Sequence, residues 1–77
     1  MTQHLYNISL KTFREYLEWK ELKLIRTKGG HEIWSRKDLS RPVTIQTHIT
    51  PVPEFIVKQV LRNIGADLED YIAFLKS

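Results

Sequence analysis

The sequence contains no cysteine, and it has only three glycines, three prolines and one methionine among its 77 residues. Without cysteine there is no disulfide framework, no thiolate zinc site and no cysteine nucleophile. No stretch approaches the roughly 18 apolar residues that a membrane-spanning helix requires. Residues 1–6 have neither the basic segment nor the apolar segment of a signal peptide. We therefore expect a protein of the reducing cytoplasm, neither exported nor anchored.

Positive charge is concentrated in one third of the chain. The net charge is +3, and residues 20–41 carry seven basic and three acidic side chains, which gives +4 for that segment. Residues 1–19 balance to zero and residues 42–77 come to −1. A local basic field attracts polyanions such as nucleic acid. A solvated, lysine-rich surface would explain the same surplus.

Hydrophobic spacing predicts a helix, three strands and two more helices within one domain, residues 1–77. Ser9 is a good N-cap for a first helix over residues 10–20. Alternating residues predict strands over 22–27, 31–35 and 43–48. The Gly29-Gly30 pair is typical of a tight hairpin turn between the first two strands.

The last third of the chain predicts two helices. Pro53 suits the first turn of a helix, and the expected packed face carries Phe55, Ile56, Val60, Leu61 and Ile64. Gly65 is placed to end this helix in the left-handed conformation. Asp67 is the expected N-cap of a final helix carrying Leu68, Tyr71, Ile72 and Leu75, and Asp70 would complete a capping box.

The predicted fold class is therefore α+β, with the order α-β-β-β-α plus a short C-terminal helix. Three strands offer too little surface to cover helices on both faces, so both main helices should share one face of the antiparallel sheet. This is the arrangement of double-stranded-RNA-binding domains.

His31 is the first candidate for chemistry, because it follows two glycines at the exit of a predicted hairpin. Glycine lets a backbone approach phosphate closely, and Lys28 and Arg26 are near enough to hold one. An imidazole exchanges protons near neutral pH, so His31 suits general acid/base cleavage of RNA. An ordinary turn histidine fits the spacing as well.

The sequence gives weaker support for a functional role at the other histidines and at the tryptophans. His48 closes the third strand and is open to three interpretations: a second proton carrier, an RNA contact or a capping side chain. Trp19 and Trp34 could stack on bases, although both suit a core, and Trp34 is expected against a helix. His4, His31 and His48 lack metal-ligand spacing, so we expect no metal site.

Three segments of the chain resemble the HicA (YcfA-like) family of toxin–antitoxin systems. That family has an Arg-x-x-Gly-Ser-His-His run, matched by residues 26–32, and a Val-Thr-Val-x-x-His strand, matched by residues 43–48. Residues 58–65 resemble its Lys-Ser-Ile-Leu-Lys-Gln-Ala-Gly segment, and an acidic helix start follows at 68–72. The resemblance covers roughly residues 9–75.

The resemblance implies a double-stranded-RNA-binding fold and a metal-independent endoribonuclease that cleaves mRNA without a cofactor. His31 would be catalytic, with His48 as a candidate auxiliary residue. The implied partners are RNA and a HicB-like antitoxin that occludes the active face. The expected phosphate-binding residues are Arg26, Lys28, Gly29, Gly30, Arg36 and Lys37.

The chain departs from the family pattern at three places. Gly30 replaces serine, Glu32 replaces the second histidine, and residues 49–54 contain no cation where the family has a basic loop. We expect Glu32 to lie beside His31, where a carboxylate would affect the protonation of the imidazole or repel phosphate. These departures leave two alternatives open, a non-catalytic RNA-binding module and a protein-interaction module that binds a partner by β-addition.

Overall fold

A computed structural model describes residues 8–76, which form a helix, three antiparallel strands and two further helices. The elements are α1 (Leu10–Trp19), β1 (Lys23–Lys28), β2 (His31–Ser35), β3 (Val43–Gln46), α2 (Glu54–Asn63) and α3 (Leu68–Lys76). The sheet order is β1-β2-β3. The predicted α+β order is therefore confirmed. His4 and the segment considered above for export lie outside the described residues.

The helices cover one face of the sheet and leave the other exposed. Four side chains of β2 and β3 are buried on the covered face: Glu32, Trp34, Val43 and Ile45. They pack with α1, α2 and α3 through Phe13, Tyr16, Leu17, Val57, Val60, Leu61 and Tyr71. Because neighbouring residues of a strand point to opposite faces, His31, Ile33, Thr44 and Gln46 lie on the other, open face. The one-sided arrangement predicted from the sequence is thus confirmed.

Several element boundaries, and the capping of α3, differ from the prediction. The first helix ends at Trp19 and not at residue 20, and β1 spans Lys23–Lys28 where 22–27 was expected. The third strand ends at Gln46 and not at residue 48: the Thr47 amide still donates to the Gly30 carbonyl oxygen at 2.7 Å, and the chain turns at Thr47 and His48. Pro53 is the N-cap of α2 and not a residue of its first turn. Asp67 caps α3 by accepting from the Asp70 amide at 2.9 Å, but the Asp70 carboxylate accepts from Tyr16 and Lys20, so there is no reciprocal capping box.

The packed face of α2 was also predicted incorrectly at one position. Phe55 is 69% exposed, and Val57 is fully buried in its place. Val57, Val60, Leu61 and Ile64 follow the i, i+3, i+4, i+7 spacing of a single helical face. Phe55 stands about 200° away from Val57 around a helix of 3.6 residues per turn, and so it points outward.

The ends of α1 and α2 are joined by one side chain, Arg36. In each helix, the residue after the C-cap has a positive φ, Glu21 at 69° and Gly65 at 74°. The Arg36 guanidinium donates to the carbonyl oxygen of Lys20 at 2.7 Å and to that of Ile64 at 3.3 Å, which are the C-caps of the two helices. Cationic donors stabilise such carbonyl groups, which have no partner within the helix.

We expect Arg36→Ala to lower the free energy of unfolding by about 1–3 kcal/mol, because two C-cap carbonyls lose a charged donor. Urea unfolding of the variant would measure the loss. Lys37→Ala is the matched control, since Lys37 is the exposed neighbour of Arg36. Equal stability of the two variants would contradict a structural role for Arg36.

Candidate functional site

His31 begins β2 on the open face, beside the basic residues of the neighbouring strand. Its imidazole is exposed, and its register partner on β1 is Lys28. Arg26 pairs with Ile33, and Lys23 pairs with Ser35. Directly paired residues project to the same side of a sheet. Lys23, Arg26 and Lys28, which we call the basic row, therefore share the open face with His31.

A β-bulge at Ile25 puts Arg26 and Lys28 on the same face as Lys23. Leu24 pairs with Trp34 but Arg26 pairs with Ile33, so Ile25 is an extra residue without its own partner. In a strand without the bulge, Arg26 would pair with Glu32 and project toward the helices. The bulge shifts the alternation by one residue and places Arg26 and Lys28 beside His31.

The second candidate histidine, His48, lies against the hairpin turn. A Cβ atom built on Gly30 would be 2.6 Å from His48 Nδ1, so the imidazole occupies the space that a side chain at residue 30 would need. The Thr47 hydroxyl also donates to the Gly30 carbonyl oxygen, at 3.1 Å. The structure thus brings His48 to the residue that precedes His31. Gly29, with φ of 60°, forms the turn.

Glu32 does not lie beside the His31 imidazole, and that expectation was wrong. Its carboxylate is buried on the helix side, where it accepts from Arg14 Nε at 3.1 Å and from Trp34 Nε1 at 3.1 Å. The hydrogen bond from the Arg14 guanidinium outweighs desolvation and, with Trp34, holds the pKa of Glu32 below its ordinary value of 4.5. The charge is thereby satisfied away from the open face.

Arg36 and Lys37 follow β2 at the end opposite to His31. At about 3.3 Å per strand residue, Arg36 is roughly 17 Å along the chain from His31. Its guanidinium is engaged by the two helix ends and by Asp38. The structure therefore brings Arg26, Lys28, Gly29, Gly30, His31 and His48 together, and it places Arg36 and Lys37 elsewhere.

A groove that the sequence analysis missed opens next to His31, along the outer edge of β3. It has a volume of about 360 Å³, and His31 is one of its lining residues. We call it the β3 groove; its apolar lining is Ile45, Ile49, Val52, Phe55 and Ile56. Phe55, which points outward from α2, forms part of this lining. Nothing in the helical periodicity of the sequence pointed to such a groove.

Comparisons of the chain with protein-family models, with curated proteins and with solved structures found no match. Within residues 8–76, no three histidine, aspartate or glutamate side chains are grouped so that they could hold a metal ion. No helix in this part of the chain is long and apolar enough to cross a membrane.

The Arg14–Glu32 pair predicts a specific loss of stability in acid. Because the pKa of Glu32 is lowered in the folded protein, the pair stabilises the fold fully at pH values above 4.5, the ordinary pKa of the group. This contribution is lost as the pH falls through the folded-state pKa of Glu32. We expect Glu32→Gln to be less stable than wild type at neutral pH, with the difference shrinking as the solution is acidified. Urea unfolding of both proteins, from neutral pH down into acid, would measure the difference in unfolding free energy. A difference that did not change with pH would contradict the stabilising role of the Arg14–Glu32 pair.

Gly30→Ala should displace the His48 ring, because the new methyl group would meet Nδ1 at 2.6 Å. In a double-mutant cycle with His48→Ala, we expect a coupling of about 0.5 kcal/mol or more in unfolding free energy. Gly29→Ala is the matched control: its added Cβ meets nothing within 4 Å, but φ is 60°. Gly29→Ala should lower the free energy of unfolding by about 1–2 kcal/mol, whether or not His48 is present. Additive effects of Gly30→Ala and His48→Ala would contradict the contact.

Proposed function

We propose that this chain is a HicA-like toxin, a cytoplasmic, metal-independent endoribonuclease that cleaves mRNA. The proposal rests chiefly on one observation: His31 is exposed on the open face with Lys28 as its register partner. A basic row beside an exposed imidazole suits an RNA backbone, since cationic side chains hold phosphates while the histidine moves a proton. The three sequence segments that resemble the HicA family support the same conclusion.

In the proposed reaction, Lys28 and Arg26 hold the scissile phosphate against the open face. His31 accepts the proton of the ribose 2′-hydroxyl, and the 2′-oxygen forms a bond to phosphorus. The bond from phosphorus to the 5′-oxygen breaks, and the leaving oxygen takes a proton. His48, whose ring lies against Gly30, is the candidate donor of that proton. The products are a cyclic phosphate and a free 5′-hydroxyl group, with no change in oxidation state.

The proposed physiological partner is a HicB-like antitoxin that covers the open face. β1 is an edge strand, and all six of its residues are exposed, including Leu24 and Ile25. An exposed strand edge with apolar side chains is a common protein-binding surface. A partner bound there would lie across the basic row and shield His31 from RNA.

A second candidate function is a non-catalytic RNA-binding module. The observation that favours it is Glu32, which stands where the family has a second histidine and which is turned toward Arg14. The second imidazole of the family motif is therefore replaced by a buried carboxylate, which is bonded to Arg14. Such a module would bind structured RNA through the basic row, with an affinity that falls as salt rises.

His31→Ala should abolish RNA cleavage, with a rate loss of about 10²–10⁴-fold, because general acid/base catalysis is worth that much. Purified protein would be incubated with a long mRNA in the presence of EDTA, beside the variant. The thermal unfolding of the variant should match wild type, since the side chain is exposed. Full activity of His31→Ala, or loss of wild-type activity in EDTA, would contradict the mechanism. Wild-type protein that shifts RNA on a gel without cutting it would favour the second function.

A further inference from the structure

The β3 groove has the size and lining of a small-molecule site. Its volume of about 360 Å³ is at the lower end of the range for ligand pockets, roughly 300–1,000 Å³. Ile45, Val52 and Ile56 form an apolar base, with Ile45 and Val52 almost fully buried. Since His31 lines the same groove, any ligand within it lies next to the proposed catalytic imidazole.

The most exposed wall of the groove is aromatic. Phe55 is 69% exposed and Ile49 is 38% exposed, although both are large apolar residues. Exposing a phenyl ring costs hydrophobic free energy unless a ligand covers it. In single-stranded RNA, unpaired bases commonly stack on such aromatic side chains.

Polar groups occupy the other side of the groove. Thr44 and Gln46 project from β3 on the open face and line the groove. A glutamine amide both donates and accepts hydrogen bonds, as the edge of a nucleobase also does. β3 is an outer strand of the sheet, so within residues 8–76 one side of its backbone has no partner strand. The groove thus offers hydrogen bonds to the edge of a planar ring and apolar contacts to its faces.

The charges near the groove indicate which kind of polymer would carry such a planar ring. His31 lies between the groove on one side and Lys28 of the basic row on the other. A base attached to a phosphate backbone matches this division into apolar and cationic parts. An apolar peptide would use the groove without needing the adjacent basic row.

We propose that the β3 groove holds one unpaired nucleobase of the RNA, stacked on Phe55 and bonded at its edge by Gln46. The nucleotide next to this base has its ribose and phosphate against His31. The inference rests on the proposed function and deepens it, because it makes single-stranded RNA the substrate and Phe55 and Gln46 the residues that select the cleavage position.

The test is binding of a short single-stranded RNA that is methylated on its 2′-oxygens and so cannot be cut. Fluorescence anisotropy of a labelled RNA would give dissociation constants for wild type, Phe55→Ala, Phe55→Leu and Phe55→Tyr. Leu75→Ala is the matched control, because Leu75 is an exposed apolar residue of α3 that does not line the groove. All variants should unfold like wild type, since residue 55 is outside the core.

Loss of stacking should weaken binding about tenfold or more in Phe55→Ala. Phe55→Leu should lose a similar amount, whereas Phe55→Tyr and Leu75→Ala should bind like wild type. Binding by Phe55→Ala at the wild-type level would overturn the proposal. RNA binding by Phe55→Leu at the wild-type level would also overturn the proposal, since apolar bulk alone would then suffice. The proposal would likewise fail if the wild-type protein dimerised and Phe55→Ala abolished the dimer.

The cleavage assay separates this proposal from the proposed function. If Phe55→Ala weakens binding while His31→Ala still cuts RNA, the groove proposal stands and the catalytic role of His31 fails. If His31→Ala is inactive while Phe55→Ala binds RNA normally and cuts it at unchanged positions, the groove proposal alone fails. When both proposals are correct, Phe55→Ala and Gln46→Ala should each change the pattern of cleavage positions along a long RNA.

Discussion

The Glu32 carboxylate lies inside the protein, where Arg14 and the Trp34 indole donate to both of its oxygens. This contact ties α1 to β2, and it also decides which face of β2 is turned inward. A shift of β2 by one residue would expose Glu32 and press His31 into the apolar core. The same shift would expose the buried Trp34 ring and break its hydrogen bond to Glu32, so the burial of Trp34 and the Arg14–Glu32 contact together keep His31 on the open face.

The open face is built from two local irregularities on either side of His31. The bulge at Ile25 turns Arg26 and Lys28 to this face. At the other side, the chain leaves β3 after Gln46 and returns His48 to the space above Gly30. Regular strands would have separated these side chains, because alternation would have directed Arg26 toward the helices. The proposed site therefore depends on where the sheet departs from regular pairing.

The two proposals use adjoining parts of one surface. The basic row supplies charge to hold a backbone, and the β3 groove supplies an apolar wall beside polar groups. Charge alone attracts any nucleic acid, whereas a groove that accepts a single base requires an unpaired strand. Glu32, which replaces a histidine of the family motif, acts in the interior. Its presence in the sequence therefore adds no negative charge to the open face, where we propose that RNA binds.

The sequence alone predicted the element order, the one-sided sheet, the hairpin glycines and the cap at Asp67, because hydrophobic periodicity and turn chemistry are local properties of a chain. It also predicted His31 at the start of a strand, and its resemblance to HicA proteins predicted what that residue would do. It did not predict that Arg36 joins two helix ends, that Arg14 neutralises Glu32, or that Phe55 faces outward into a groove. These features depend on contacts between residues far apart in the chain, and on a one-residue shift in register at Ile25. Only the packing of the helices on the sheet decides them.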